Sequence, residues 1–250
     1  MKTAYIKETE EYISAQEYRD ELHLNKIYCP ECYKAPLYFV PKQKTVYFRV
    51  ENREDHLEDC SFYQKSISNQ EVVRLIKSEK EVDKEPLKFL IEMNMRNALN
   101  LLRRLNAEPL INKVGIENSN NSKNTANNKN RTQEVKSITR VNISNLLKNR
   151  DEYQGEYIVI YGKAEIEETE VKEREIKETG EKFKIKSLIF RQNDKYRFKI
   201  DLAGDKQTKE KFDFGGGTCC FAVFGLLESN NNFLILKIKS LSHFKYFRKD

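Results

Sequence analysis

Three cysteines and one histidine in the first quarter of the chain have the spacing of a metal site. Cys29 and Cys32 are separated by two residues, and His56-x3-Cys60 follows after a 23-residue insert. Zinc prefers four tetrahedral ligands that are soft or borderline, and three thiolates with one imidazole meet that preference. A redox Cys-x2-Cys pair normally begins a helix in a thioredoxin-like pattern, which is missing around these residues. The spacing therefore predicts one structural zinc ion, with all four coordination positions filled by protein.

A second group of residues combines aromatic rings with positive charges. Aromatic rings stack on unpaired bases, and Lys and Arg bind the phosphates between them. The candidates for such contacts are Tyr161, Lys163, Arg191, Lys195, Tyr196, Arg197, Lys199, Lys245, Tyr246 and Arg248. A plainer interpretation competes for part of this set: Tyr196, Phe198 and Ile200 alternate as the core face of a strand, which leaves Arg197 and Lys199 on its solvated face. Cys219 and Cys220 lie in an apolar run and are interpreted as buried small hydrophobes on opposite faces of a strand.

A catalytic site is less well indicated. Glu175-Ile176-Lys177 fits part of a restriction-type nuclease core, with Asp151 or Glu165 as an upstream carboxylate. Such a match is expected by chance in so charged a segment. Phosphate-binding loops with a lysine, nucleophile elbows and His-Glu-x-x-His motifs are missing from the sequence. We therefore expect a protein that is not an enzyme.

Composition is compatible with these sites and selects none of them. The net charge of +6 is the difference between 45 basic and 39 acidic residues among 250, so it permits an anionic partner without requiring one. No apolar run approaches the roughly 18–20 residues of a membrane helix, and the N-terminus lacks the pattern of a signal peptide. We expect a cytoplasmic protein without a membrane partner.

The chain divides at a stretch rich in Asn, Ser and Lys. This stretch has almost no large apolar side chains that could offset the entropy of ordering, so it is predicted to be a flexible linker over residues 112–136. It separates a zinc-binding unit with helices (1–111) from a second unit (137–250). Two weak binding sites on such a tether would raise each other's effective concentration.

Helix signals in the first unit surround the metal ligands. Ser14 with Glu17, and Ser68 with Glu71, have the spacing of capping boxes, and Asp83 is placed to begin a third helix. In that helix an apolar stripe recurs at helical spacing from Leu87 to Leu105. We expect the stripe to pack on the zinc-binding unit, with a partner-binding helix as the alternative. Between the two pairs of ligands, two short strands are predicted, Leu37–Val40 and Thr45–Val50, while His56 and Cys60 would share one face of a helix.

The second unit is predicted to be mostly strands. A short helix precedes five β-forming runs separated by turns: Glu156–Ile166, Phe183–Phe190, Tyr196–Leu202, Thr218–Leu227 and Phe233–Ile238. Five strands in about 100 residues indicate a small closed barrel. The predicted fold class is α+β, with a zinc-finger unit, a linker and a five-stranded barrel.

Two resemblances extend these expectations. The segment with Ser14-Ala15, the knuckle Tyr28-Cys29-Pro30-Glu31-Cys32 and the pair His56/Cys60 resembles the N-terminal zinc-finger region of CoiA-like competence proteins, over about the first 65 residues. A histidine-containing motif of that family reads Tyr47-Phe48-Arg49-Val50 here, so its histidines are missing. The resemblance implies a DNA-processing or mobile-element context. Some members carry a nuclease domain after this region, but nothing after residue 65 matches it.

The start of the second unit is similar to the opening of bacterial OB-fold domains. A short helix there precedes a strand bracketed by Gly155 and Gly162. An OB-fold commonly binds single-stranded nucleic acid on one face of its sheet. We therefore expect a zinc-containing protein that binds single-stranded DNA or RNA, with a protein adaptor as the first alternative and a metal-dependent nuclease as the second.

Overall fold

The computed structural model describes residues 1–42, 45–58, 60–106, 136–147, 150–175, 180–203, 205–230 and 233–248. The linker predicted over 112–136 lies outside these residues, apart from its last position. None of the described helices is long and apolar enough to cross a membrane. The chain is mixed α+β, and its C-terminal half contains a closed five-stranded barrel.

Short strands precede two longer helices in the N-terminal half. In chain order the elements are β1 (Thr3–Ile6), β2 (Glu11–Ser14), α1 (Asp20–His23), β3 (Ile27–Tyr28), β4 (Leu37–Pro41), β5 (Val46–Val50), a 3-10 turn (Arg53–Asp55), β6 (Lys65–Ser66), α2 (Asn69–Lys77) and α3 (Glu81–Asn106). Strand β1 lies between β2 and β3 in an antiparallel sheet, and β4 pairs with β5. The predicted hairpin between the two pairs of cysteine and histidine ligands is therefore confirmed.

Two of the helix starts differ from the prediction. The Ser14 N–H donates to the Glu17 carboxylate at 2.7 Å, but this contact closes a turn after β2, and helix α1 begins only at Asp20. Helix α3 begins at Glu81, two residues before Asp83, whose carboxylate accepts a hydrogen bond from the Ser78 hydroxyl. The predicted cap of α2 is confirmed, because the Ser68 side chain accepts from the Glu71 N–H.

Strands dominate the C-terminal half. In chain order the elements are β7 (Lys136–Ser137), β8 (Arg140–Asn142), α4 (Ile143–Leu146), α5 (Arg150–Tyr153), β9 (Tyr157–Glu168), β10 (Lys172–Glu175), β11 (Lys182–Gln192), β12 (Lys195–Ala203), α6 (Asp205–Thr208), β13 (Thr218–Asn230), β14 (Phe233–Lys237), a 3-10 turn (Leu241–His243) and β15 (Phe244–Arg248). All five predicted barrel strands are present, as β9, β11, β12, β13 and β14.

The barrel closes in the order β9, β11, β12, β14, β13 and back to β9. The pair β12–β14 is parallel, and the other four pairs are antiparallel. Phe190 and Phe198 stack at the centre of its interior, 4.3 Å apart, and both are fully buried. Gly162 is required where α4 packs on β9, since a Cβ there would lie 2.4 Å from the Ile143 Cγ2 and the glycine φ is +150°.

A second hydrophobic core joins the two halves of the chain. The buried residues of the α3 stripe are Leu90, Ile91, Met95, Ala98 and Leu102. They pack in one cluster with Val159, Ala222 and Phe224 from the outer surface of β9 and β13, and with the three cysteines of the predicted metal site. The stripe therefore packs on the barrel as well as on the cysteine-bearing segment.

Backbone and side-chain hydrogen bonds reinforce this junction. Strand β6 pairs in parallel with β7, and the buried Asn94 carbonyl of α3 accepts from the Ser137 hydroxyl and the Ile138 N–H, both at 3.1 Å. The described residues of the two halves therefore meet in a shared core and a strand pair, while the division of the chain at a linker over 112–136 stays a prediction.

Candidate metal centre and barrel face

Cys29 and Cys32 lie in a tight turn that follows β3. The Cys29 N–H donates to the Ala35 carbonyl at 2.8 Å, and the Tyr33 N–H donates to the Cys29 carbonyl at 3.0 Å. Tyr33 has a φ of +54°, a left-handed conformation that a side chain tolerates only when its surroundings hold it. The turn is thus closed on both sides of the two thiols.

His56 and Cys60 lie in successive turns rather than on the helix we predicted. A 3-10 turn precedes His56, which itself has an extended backbone conformation. The Cys60 N–H donates to the Leu57 carbonyl at 2.9 Å, and the Cys60 carbonyl accepts from the Gln64 N–H at 3.3 Å. The four-residue spacing is therefore satisfied by a change of backbone direction, and it still brings both side chains to one place.

The four side chains converge on one buried point. Their ligand atoms all lie within 4.8 Å of one another. The Cys29 and Cys60 sulfurs are 3.8 Å apart, and the His56 Nδ1 lies 3.4 Å from the Cys32 sulfur and 3.5 Å from that of Cys60. Tetrahedral bonds of about 2.3 Å to sulfur and about 2.0–2.1 Å to nitrogen would give separations of about 3.8 Å and about 3.6 Å. The cluster therefore fits one metal ion held by protein ligands alone.

The protonation of the thiols supports the same interpretation. Burial raises the pKa of the Cys29 thiol. Hydrogen bonds from Cys29 and then Cys60 lower the pKa of Cys32, and the matching bond to Cys29 raises the pKa of Cys60. Three thiols this close to one another compete for their protons, since ionising one makes it harder to ionise the next. A bound cation is what would hold three thiolates in so small a volume.

Glu31, between the two cysteines of the turn, is buried and ion-paired with the barrel half of the chain. Its carboxylate lies 2.8 Å from the Arg140 Nη2 and accepts hydrogen bonds from the Ser61 N–H at 3.0 Å and from the Ser61 hydroxyl. Burial raises the pKa of Glu31, and Arg140 opposes that shift. Sequence reasoning missed this pair. The available signal was a carboxylate flanked by two ligands that must themselves be buried.

Half of the ten predicted nucleic-acid residues lie on the β11–β12 hairpin. Arg191, Lys195, Tyr196, Arg197 and Lys199 are close together there, at the end of the barrel where β11 turns into β12. A register shift after Phe190 leaves Arg197 without a cross-strand partner, so the strand bulges at this position.

The remaining predicted residues lie elsewhere. Tyr161, on β9, is only 1% exposed and packs in the core that the barrel shares with the N-terminal half. Its ring therefore cannot stack on a base in this structure. Lys163 is exposed further along β9, and Lys245 lies on β15. Tyr246 accepts a hydrogen bond from the Asp213 N–H, and Arg248 forms an ion pair with Asp213, so both are engaged within the chain.

Charges on the β11–β12 face are partly neutralised. Lys199 is 2.8 Å from Asp201, and Arg191 is 3.1 Å from Glu167. Arg197 has no charged partner among the residues that the structure describes. Its Nε is buried without a hydrogen-bond partner, and burial lowers the pKa of its guanidinium. An arginine remains charged under these conditions. Arg197 and the exposed Lys195 form no ion pair with any described residue, so both can bind an anion.

An aromatic residue that the prediction missed completes the face. Phe233, the first residue of β14, is 55% exposed and meets the Tyr196 ring edge-on at 5.3 Å. Ile235 follows on the same strand and lies beside Lys199. An apolar residue directly after a run of three asparagines was the available signal, but it was interpreted only as the start of a strand.

The nuclease alternative gains no support from the positions of its carboxylates. Glu175 is exposed at the end of β10, Asp151 is in α5 and Glu165 is on β9, while Ile176 and Lys177 lie outside the described residues. Within the described ranges, the cysteine–histidine cluster is the only group of three or more His, Cys, Asp or Glu side chains that could hold a metal ion.

Cys219 and Cys220 are buried on opposite sides of β13, as predicted, the first in the barrel interior and the second in the core shared with α3. Comparisons of the chain with models of known protein families, with curated proteins and with solved structures found no match.

Proposed function

We propose that this protein binds single-stranded nucleic acid on the outer face of β11, β12 and β14, without catalysis, and that its cysteine–histidine cluster holds one structural zinc ion. The observation that carries the binding proposal is the pairing of Arg197 with exposed aromatic surface on a part of the barrel away from β9 and β13, on which α3 packs. A reducing compartment would keep the ligand thiols free, and we place the protein in the cytoplasm.

Zinc is the metal that suits this donor set best. Three thiolates and one imidazole in a tetrahedral arrangement are typical of structural zinc sites. All four positions are filled by side chains, so no position remains for a substrate or for water. The chemistry that the ion would supply is therefore neutralisation of the thiolates and cross-linking of the two turns.

The order of the barrel strands supports the OB-like assignment. Counted along the chain, the first strand pairs with the second, the second with the third, the third with the fifth, and the fourth closes back on the first. This is the arrangement of an OB-fold, whose second and third strands bind oligonucleotides. Strands β11 and β12 hold those positions here.

Helix α3 packs on only part of the outer surface of the barrel, and the remaining surface can bind a ligand. Helix α3 packs on the outer surface of β9 and β13, so that side is closed. The face of β11, β12 and β14 carries Arg197, Lys195 and Phe233, which supply two cations and one ring. Base stacking on an aromatic side chain contributes about 1–3 kcal/mol per base and is tolerant of sequence. The resemblance of the first 65 residues to CoiA-like proteins favours DNA as the strand.

We do not propose that the Leu87–Leu105 helix binds a protein partner. The apolar stripe of that helix is buried within the chain at five positions from Leu90 to Leu102, and only its last residue, Leu105, is substantially exposed at 41%. A protein partner would have to displace the barrel to reach the stripe.

The test is the affinity of the full chain for labelled oligonucleotides, single- and double-stranded DNA and RNA, across a salt series. The full chain is used because the two halves share a core. We expect tighter binding to single strands and affinity that falls as salt rises. The variant with Lys195→Glu and Arg197→Glu should weaken binding at least about tenfold and lower the salt slope by about 0.7 per lost phosphate contact.

The matched control reverses two exposed lysines that lie outside β11, β12 and β14, Lys34→Glu and Lys211→Glu. It has the same net charge as the test variant and should bind nearly as the wild type does. Equal loss in both variants would mean that the attraction is nonspecific, and no binding at low salt would overturn the proposal. Intact oligonucleotide after incubation with magnesium is expected, whereas cleavage that Glu175→Ala abolishes would establish a nuclease.

A further inference from the structure

A cleft of about 220 Å³ lies between helices α2 and α3 and the edge of the barrel, on the side that Phe224 and β14 border. One wall is aliphatic and comes from the helices, with Leu75, Leu87 and Ile91. The opposite wall is aromatic and consists of Tyr157 and Phe224, whose rings stack at 5.8 Å. The cleft is therefore shaped as a slot between two apolar walls.

Lysines surround the opening of this slot. Four of them line it, Lys84, Lys88, Lys237 and Lys239, against a single acid, Glu92. Lys84 pairs with Glu81 at 2.5 Å and Lys237 with Glu228 at 2.7 Å. Lys88 and Lys239 are exposed and form no ion pair with any residue that the structure describes. The rim thus has two cations ready to bind an anion.

A histidine in the slot has an unused hydrogen-bonding group. The His243 ring meets Phe224 edge-on at 5.3 Å, and its Nδ1 is buried without a hydrogen-bond partner. Burial and then Lys239 lower the pKa of His243, so its ring is neutral at neutral pH. A buried polar atom without a partner is costly, and a ligand that bonds to it would remove that cost.

We infer that this cleft binds one nucleotide. Its base lies between the aliphatic and aromatic walls and bonds to the His243 Nδ1, and its phosphate is held by Lys88 and Lys239. The volume is below the roughly 300–1,000 Å³ of pockets that enclose drug-sized ligands, which suits one planar ring with its phosphate outside. An acyl chain would need a longer channel.

The nucleotide can be free or can belong to a strand that also contacts the barrel face. Lys237 is an outward residue of β14, the strand that carries Phe233, and it also lines the cleft. The assignment does not depend on the barrel face binding nucleic acid, so the two proposals can fail separately.

The test is calorimetric titration of the full chain with adenosine 5′-monophosphate, alongside adenosine and ribose 5-phosphate. We expect saturable binding of the monophosphate, and binding at least about tenfold weaker for each fragment, because one lacks the phosphate and the other the base. The variant with Lys88→Glu and Lys239→Glu should lose at least about tenfold in affinity, as two charged hydrogen bonds are removed. The control variant with Lys34→Glu and Lys211→Glu should bind as the wild type does.

Binding of a labelled single strand of twelve nucleotides shows whether the nucleotide in the cleft is free or belongs to a strand. Weaker strand binding by the Lys88/Lys239 variant identifies the nucleotide as part of a strand, and unchanged strand binding with lost monophosphate binding identifies it as free. Ribose 5-phosphate bound as tightly as the monophosphate would overturn the assignment, since the walls would then contribute nothing. The assignment would also be overturned if the wild type bound no monophosphate and the Lys88/Lys239 variant bound the strand as tightly as the wild type does.

Discussion

At the cysteine–histidine cluster, each pair of candidate ligands is held by the backbone turn that carries it. The Cys29–Cys32 turn is closed by hydrogen bonds to and from Cys29, and the Cys60 turn by bonds to Leu57 and Gln64. Contacts between the two turns include those among the candidate ligand side chains and the bonds from Ser61 to Glu31. An ion at the centre would join the turns, so its binding energy would add to the stability of this segment.

Removing one ligand tests this directly. If the cluster holds one zinc ion, native mass spectrometry should show one zinc per wild-type chain and none in Cys60→Ala, whose melting temperature should also fall by roughly 10 °C or more. Chelation of the wild type should lower the melting temperature in the same direction. Cys219→Ala is the control, since Cys219 is buried in the barrel interior, and it should retain one zinc per chain. Full zinc occupancy in Cys60→Ala would contradict the assignment.

The buried pair Glu31–Arg140 gives a second prediction at this scale. Glu31→Gln leaves the Arg140 charge buried beside a neutral amide, and we expect a loss of about 3–5 kcal/mol in the free energy of unfolding. Replacing both residues, with Glu31→Gln and Arg140→Met, should recover part of that loss because no charge remains to be desolvated. Urea unfolding in the presence of zinc measures both. Additive losses in the double variant would show that the two side chains are not coupled.

Spacing predicted the four residues that meet in the cysteine–histidine cluster, but it did not reveal the ion pair beside them. Three cysteines and a histidine at this spacing are typical of a zinc site, so the chemistry of the side chains was enough. Glu31 and Arg140 are far apart in the sequence, and neither residue type specifies the other. Pairing over that distance depends on the tertiary fold, and local pattern carries no information about it.

At the scale of elements, the strands were easier to predict than the surfaces they present. Runs of β-forming residues separated by turns identify β9, β11, β12, β13 and β14, with alternating apolar residues in β12 and a nearly continuous apolar run in β13. These runs do not indicate that β12 pairs in parallel with β14, or that α3 covers one side of the barrel. An apolar stripe on a helix shows that one face of the helix is buried, but it does not show which part of the chain packs against that face.

The packing of α3 can be tested with two truncations on opposite faces of the helix. Met95 is fully buried against the barrel, and Met95→Ala should reduce the free energy of unfolding by about 2–5 kcal/mol through lost burial and a cavity. Phe89 is 67% exposed on the same helix, and Phe89→Ala should change stability by less than about 0.5 kcal/mol. Urea unfolding followed by circular dichroism gives both values. Similar losses at the two positions would contradict the orientation of α3.

The whole molecule has buried and partly buried tyrosines, and this affects its stability in alkali. Burial raises the pKa of Tyr153 and of Tyr196 to about 12, and raises the pKa of Tyr161 as well. Unfolded tyrosines ionise near pH 10. Between these values the unfolded chain binds fewer protons than the folded chain, so the free energy of unfolding should fall as pH rises above about 10.

Absorbance at 295 nm, followed together with circular dichroism, measures this effect. Part of the tyrosine absorbance should appear only as the structure is lost, whereas in guanidinium chloride all thirteen tyrosines should ionise near pH 10. Ionisation of all thirteen near pH 10 with an unchanged dichroism spectrum would show that these rings are not buried.

The core shared between α3 and the barrel also determines when the protein can fold during its synthesis. The ribosome completes residues 1–106 before it makes β9 and β13, which supply Val159, Ala222 and Phe224 to that core. The nascent chain therefore leaves the ribosome with the apolar stripe of α3 uncovered, a condition that invites aggregation and chaperone binding. The first half of this protein carries all four residues of the cysteine–histidine cluster, yet it has to wait for the second half before it can finish folding.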